Sequence, residues 1–259
     1  MGAVRLSAAK RVDGAGLKGA RMSAPVIPVV RRPVMYQQWR RLTFLHWRYP
    51  PDLVQAMLPA GLTVQTLDGS AWLGLIPFEM VGVRAPGVPA LPWLSRFPET
   101  NVRTYVQGPD GGTGIWFFSL DAARLPAVVT ARTGYGLPYF WSDMSVAVRG
   151  GRLVYRSRRR WPGPGGGRCD ADVLPGEPVA AGTVEQFLTA RFRLYSRFAG
   201  RLVAADAQHG QWPLYRGRVD RLDQNLIQAA GLPDPEGEPL VHTSPGVSVR
   251  IGPWHPLSA

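Results

Sequence analysis

The aromatic-rich stretch from Gln38 to Trp47 predicts a strand with Leu42, Phe44 and His46 on one side. A short helix over Asp52–Leu58 is expected after Pro50-Pro51, stopped by Pro59. Two apolar runs, Leu62–Leu67 and Ala71–Phe78, flank Asp68-Gly69 and predict a hairpin. The segment Ala85–Pro98, with prolines at 86, 89, 92 and 98, predicts a loop. Strands follow at Thr100–Gln107 and Gly114–Leu120, joined by a Gly/Pro turn. A helix over Ala122–Arg132 carries Pro126 in its first turns. Phe140–Val148 and Arg152–Trp161 predict a hairpin around Gly150-Gly151, and 162–167 a loop. The strongest helical signal spans Thr183–Arg197. Thr183 and Gln186 match a capping box, Val184, Phe187, Leu188, Phe192 and Tyr195 form a stripe, and Arg193 and Arg197 suit the C-terminal dipole. Asp223–Ala230 predicts a further helix, closed by Gly231 and Pro233; short strands are expected at 202–208, 214–219 and 247–251. No β-α-β rhythm or internal repeat is present. The pattern predicts one α+β domain, mainly antiparallel β, over about residues 35–259.

Composition agrees with a globular chain: 259 residues, 45% hydrophobic and 19% charged, with Gly 30 and Pro 25 favouring strands and turns over a helical bundle. The net charge of +12 suggests nucleic acid at first sight. Its distribution weakens that reading. Residues 1–34 carry seven basic residues and one acid, so half of the excess lies on a low-complexity segment expected to be a disordered extension, with Met35 an alternative start. Gly14–Gly19 fits G-x-G-x-x-G, but no strand precedes it and it is read as part of that extension. One cysteine, Cys169, excludes an internal disulfide and cysteine-rich metal sites. His46, His209, His242 and His255 have no metal-ligand spacing, and no metal or cofactor is expected. No apolar run reaches the roughly 18 residues of a membrane span, and no signal pattern opens the chain, so a cytoplasmic location is expected.

Candidate chemistry concentrates on one strand. In Glu99-Thr100-Asn101-Val102-Arg103-Thr104-Tyr105-Val106, Glu99, Asn101, Arg103 and Tyr105 share a face, while β-branched residues occupy the other. The returning strand, Ile115–Leu120, is apolar on both faces, so the hairpin is expected inside the sheet system. A polar row there must be paired or must line a cavity. In the run Arg156–Arg160, alternation lets Arg159 point inward with Tyr155 and Ser157 while Arg156, Arg158 and Arg160 face water.

Four motifs, Met57-Leu58-Pro59-Ala60-Gly61-Leu62, Phe97-Pro98-Glu99-Thr100, Ser119-Leu120-Asp121 and Gly136-Leu137-Pro138-Tyr139-Phe140, occur in the order and spacing of acetoacetate decarboxylase-like proteins. Trp39–Trp47, Glu99–Val106, Phe117–Ala122, Gly136–Tyr139 and Trp212-Pro213-Leu214 resemble more closely a bacterial family within that superfamily, the YqjF-like proteins. The resemblance covers about Met35 to Leu257. It implies a cone-like antiparallel β-barrel with a few flanking helices and an internal small-molecule pocket, with Glu99 matching the family's pocket glutamate. In the decarboxylases the turn matching Gly136–Phe140 ends in Pro-Lys-Lys. The first lysine forms a Schiff base and the second lowers its pKa. Here those positions are Tyr139 and Phe140, and the only lysines are Lys10 and Lys18. Arginine stays protonated and forms no imine, so Schiff-base decarboxylation is excluded.

Two readings remain. In the first, a lyase or proton-transfer enzyme acts on a small oxo or hydroxy acid: Glu99 is general acid/base and Tyr139 donates where the lysine is missing. Arg103, with Arg132, clamps an anionic group; Asn101, Tyr105 and Arg159 complete the binding set. In the second, the same residues hold an anionic small molecule without turning it over. The sequence leaves the oligomeric state open.

Overall fold

The structure, a computed structural model, describes residues 26–163 and 165–257. The Gly14–Gly19 motif and most of the basic extension lie outside the described residues. The body begins upstream of the first strand: Val30 is buried and its N–H donates to Oε1 of Gln208 at 2.8 Å, and Val34 N–H donates to the Ile251 carbonyl.

In chain order the elements are β1 (Met35–Tyr49), α1 (Pro51–Ala56), β2 (Thr63–Val64), β3 (Ala71–Arg84), β4 (Arg96–Gln107), β5 (Thr113–Ala122) and α2 (Leu125–Tyr135). They continue with β6 (Tyr139–Arg149), β7 (Arg152–Trp161), β8 (Arg168–Val179), α3 (Thr183–Thr189), β9 (Arg193–Phe198) and β10 (Arg201–His209). β11 (Leu214–Gln224), α4 (Leu226–Ala229), β12 (Leu240–Ile251) and β13 (His255–Pro256) complete the chain. The strands form one sheet that closes on itself, and the circuit β5-β6-β7-β8-β11-β12-β1-β3-β4 is a nine-stranded barrel. Pairing is antiparallel except where β5 meets β6 and β9.

The sheet forks at β5 and β12. One edge of β5 pairs with β9 at Ile115–Trp116 and with β6 at Leu120–Ala122. One edge of β12 is shared likewise, by β10 and β11. The wall β1-β3-β4 therefore divides two interiors. Toward the nine-stranded barrel, Leu45, Leu75 and Val102 pack with Tyr155 and Ala171. Toward a chamber roofed by α2, Ile76, Phe78, Met80 and Phe97 form a second cluster. Burial on both faces explains why β3 is apolar almost without alternation from Ala71 to Met80. Phe44 and His46 lie on one side as expected, their rings stacked at 6.1 Å.

Several expectations are corrected. The Asp68-Gly69 turn is present with both residues at positive φ, but Leu62–Leu67 does not return along β3. Both edges of β3 are taken by β1 and β4, so β2 pairs with the end of β4 instead. Pro98 lies inside β4 rather than in the loop. Its carbonyl accepts from Ala123 N–H just beyond the last β4–β5 pair, Glu99 with Ala122, where the missing proline N–H costs no ladder bond. The helix expected to Arg197 ends at Thr189. Leu194 and Tyr195 are claimed by β9, which joins β5 and β10, so tertiary pairing overrides helical propensity. Its cap shifts by one residue, with Glu185 Oε2 accepting from Gly182 N–H at 2.9 Å. The helix expected from Asp223 starts at Leu226 because Asp223 and Gln224 pair with β8. The twelve-residue strand β8 was not expected; Pro175, Gly176 and Pro178 obscure its pattern.

The arginine run reads as its alternation predicts. Outward, Arg156 meets Asp172 at 2.5 Å, Arg158 meets Asp170 at 2.7 Å and Arg160 meets Asp143 at 3.1 Å. These three guanidiniums are paired with the protein's own carboxylates.

Candidate functional site

Alternation along β4 turns Glu99, Asn101 and Arg103 into the α2-roofed chamber, where they are 3%, 4% and 7% exposed. The chamber holds a cavity of about 300 Å³. Among the described residues Glu99 and Arg103 are the charged ones that line it, and most of its surface is apolar. Ala127 and Ala131 of α2 form part of the roof.

Tyr139 reaches the same cavity through the turn that ends α2. Gly136 adopts φ 64 at the helix C-terminus, and a Cβ there would run into the Arg197 carbonyl. The chain then docks on β5 through Leu120 N–H to the Pro138 carbonyl at 3.0 Å. The Tyr139 hydroxyl donates to Oε2 of Glu99 at 2.9 Å. Burial pushes the Glu99 carboxyl up to about 8; the Tyr139 hydrogen bond opposes this and the Asp121 charge adds to it. Tyr139 is itself held well above the usual phenol range, first by burial and then by Glu99.

Arg103 has no carboxylate partner among the described residues, and its Nε is buried without a hydrogen bond. Its guanidinium carbon lies 5.7 Å from the Phe44 ring centroid and 5.8 Å from that of Tyr105. Asn101 Oδ1, on the same face of β4, is likewise buried without a partner. A buried cation and a buried polar atom of this kind stay uncompensated unless something in the cavity meets them.

The other expected site residues lie behind this cavity. Tyr105 is fully buried and shares a 2.6 Å hydrogen bond with His46 Nε2. Arg132 donates to the Tyr139 carbonyl at 2.6 Å, with its guanidinium near the Phe140 and Trp161 rings. Arg159 forms a two-point pair with Asp121, at 2.9 and 2.7 Å, and stacks 3.6 Å over Phe140. Ser142 Oγ completes that cluster by donating to Asp121 at 2.7 Å. Thus Glu99, Asn101, Arg103 and Tyr139 line the cavity, while Tyr105, Arg132 and Arg159 support its walls.

The sequence pattern did not reveal three contributors. Asp121 neutralises Arg159 and raises Glu99. His46 is buried, and desolvation followed by the Arg103 charge holds it well below the usual imidazole range, so it stays neutral. Arg191 stacks on Tyr105 and Phe187 at 5.0 and 4.4 Å and hydrogen-bonds the Phe187 carbonyl and Gln65; burial lowers it to about 10. Of the three, Asp121 had a sequence signal, as the last residue of the Ser119-Leu120-Asp121 motif that carries the family resemblance. Among the described residues no three or more His, Cys, Asp or Glu side chains gather as a metal site, and no helix is long and apolar enough to cross a membrane.

The profile of the DUF2071 family, described as an uncharacterized conserved protein, matches residues 36–248. The chain is 33% identical over 226 residues to the uncharacterized protein YqjF of Bacillus subtilis, covering 85% of this chain and 91% of that one. Acetoacetate decarboxylase of Legionella pneumophila superposes with a TM-score of 0.64 at 13% identity, over 97% of this chain and 98% of the other. The enduracididine biosynthesis enzyme MppR, solved with pyruvate, gives 0.62 at 13% identity over 91% and 99%. An acetoacetate decarboxylase-like enzyme of Sphingomonas wittichii gives 0.58 at 18% identity over 88% and 94%. The barrel with few helices is therefore the acetoacetate decarboxylase-like fold.

Proposed function

The chain belongs to the DUF2071 family, and from that premise we propose that it binds a small carboxylic acid in the α2-roofed cavity and moves a proton on it. The observation that carries this reading is the pairing of a Glu99–Tyr139 hydrogen bond with an Arg103 that has no carboxylate partner among the described residues, in one mostly apolar cavity. Arg103 supplies the counter-charge for the carboxylate, and Asn101 offers its amide beside it. Glu99, with its carboxyl near 8, exchanges a proton at neutral pH in either direction, the property a general acid/base needs. Tyr139 remains a neutral donor and fixes the Glu99 carboxyl. Its position and that of Phe140 carry no amine, so the chemistry runs without an imine. The pyruvate bound by MppR supports an oxo acid as ligand. A cytoplasmic location belongs to the same reading; nucleic acid does not.

The experiment is a thermal-shift panel of oxo and hydroxy acids, followed by NMR of bound acids in deuterated water. Stabilisation of the wild type but not of Arg103→Met, with deuterium entering beside the carbonyl only when Glu99 is intact, is the expected result. Binding without exchange supports the alternative, a non-catalytic binding module. No stabilisation by any acid overturns the site.

A further inference from the structure

We infer that the acid carries a long apolar body, in the range of a medium-chain or aryl-substituted acid, rather than being a three- or four-carbon acid. This rests on the reading of Arg103 as the carboxylate receptor and names the ligand class that the remaining cavity selects.

The β3–β4 register sets the order of groups along the chamber. Gly74 lies opposite Arg103, Ile76 opposite Asn101, Phe78 opposite Glu99 and Met80 opposite Phe97. Each step of two residues advances about 7 Å along the strand, so Phe97 and Arg103 are roughly 20 Å apart along β4. Polar groups occupy the stretch from Glu99 to Arg103, and beyond Glu99 the wall is mostly apolar, continuing through Met80, Phe97, Val83 and Leu94; Gln37, the polar side chain at that end, has its Oε1 engaged by Trp39 Nε1. A carboxylate on Arg103 with only two or three further carbons leaves that end without a partner. The cavity of about 300 Å³ is in the size class that encloses a drug-sized ligand. An apolar compartment of this kind gains little from water, which needs polar partners to bind well. The roof agrees: α2 presents Ala127 and Ala131 to the cavity, small side chains that leave room where larger ones would fill it.

The test is isothermal titration of two homologous series, propionate to decanoate and pyruvate to α-oxodecanoate. Each added methylene is expected to tighten Kd about three- to fourfold until the chain fills the compartment. Arg103→Met is expected to weaken every member by a similar factor and leave the chain-length slope in place. Affinity that is flat with length, or best for the shortest acids, overturns this inference; if it still depends on Arg103, the carboxylate reading stands. A slope without dependence on Arg103 overturns the carboxylate reading instead. Ala131→Phe, and independently Leu94→Trp, should move the optimum to shorter acids. An unchanged optimum in folded variants overturns the placement of the apolar body.

Discussion

The hydroxyl of Tyr139 on β6 donates to Oε2 of Glu99 on β4 at 2.9 Å, across the strand β5 that separates them. Glu99 is buried and Tyr139 is half-buried at the cavity wall, and the charged forms of both groups are disfavoured by desolvation.

This relationship predicts how stability varies with pH. Glu99 titrates near 4.5 when unfolded and near 8 in the native protein. Between those values the folded state keeps a proton that the unfolded chain has lost. The contribution is therefore fully present below about 4.5 and lost as pH rises through about 8, by at most about 1.4 kcal/mol per pH unit. Glu99→Gln should remove that slope: its melting temperature should exceed that of the wild type most at pH 9, with the gap narrowing toward pH 5. A constant offset in calorimetry across this range would contradict it. Tyr139→Phe removes the one contact that lowers the Glu99 carboxyl and should push its titration, followed by carboxyl NMR, still higher.

The polar row on β4 was legible because strand alternation needs no tertiary information, and the short Gly136–Tyr139 turn was legible through its glycine and proline. What the cavity would do with those residues was less legible. Arg132 was read as a second clamp beside Arg103, and Arg159 as a further binding residue, because a guanidinium's partner is decided by the fold. Asp121 meets Arg159, 38 positions away, only because β5, β6 and β7 are neighbours in the sheet. The same limit explains the helix expected to Arg197. Its apolar stripe is genuine, but Leu194 and Tyr195 serve a strand that closes one arm of the fork.

The Asp121–Arg159 pair should be worth far more when broken than when replaced. Both partners are nearly inaccessible, and Phe140 covers the guanidinium. Asp121→Asn leaves a buried arginine uncompensated and should cost about 3–5 kcal/mol. For a domain of this size that is a fall of roughly 10 °C in melting temperature. The double change Asp121→Leu with Arg159→Met should recover most of the loss. Chemical denaturation of these two variants and of the single changes Asp121→Leu and Arg159→Met tests this, and additive losses would argue against an uncompensated charge as the cause.

Arg103 should show the reverse balance. An unpaired buried guanidinium costs free energy in the ligand-free protein. Arg103→Met keeps much of the apolar stem and removes the charge, so the ligand-free variant should melt a few degrees higher than the wild type while losing stabilisation by carboxylic acids. Arg103→Lys should restore little of that binding, because an ammonium lacks the planar two-point donor geometry. A destabilised Arg103→Met protein would show instead that the guanidinium is compensated within the fold.

Position 139 offers the sharpest test of whether the missing lysine is what separates this chain from imine chemistry. From residue 34 onward the chain contains no lysine. The wild type incubated with pyruvate and cyanoborohydride should therefore yield no reduced adduct on any peptide from that region. Tyr139→Lys would place a primary amine in the cavity, against Glu99. Burial lowers the amine's pKa, while the Glu99 carboxylate, once ionised, raises it. While Glu99 stays protonated, burial alone acts on the amine and favours its neutral, nucleophilic form. Attack on the oxo carbon, loss of water and hydride reduction would leave a secondary amine at residue 139, read by peptide mass mapping. Adding Arg103→Met should sharply reduce the yield, because the carboxylate is no longer held. An adduct that forms equally without Arg103 would show that the amine reacts from solution and that Arg103 does not direct the acid to this end of the cavity.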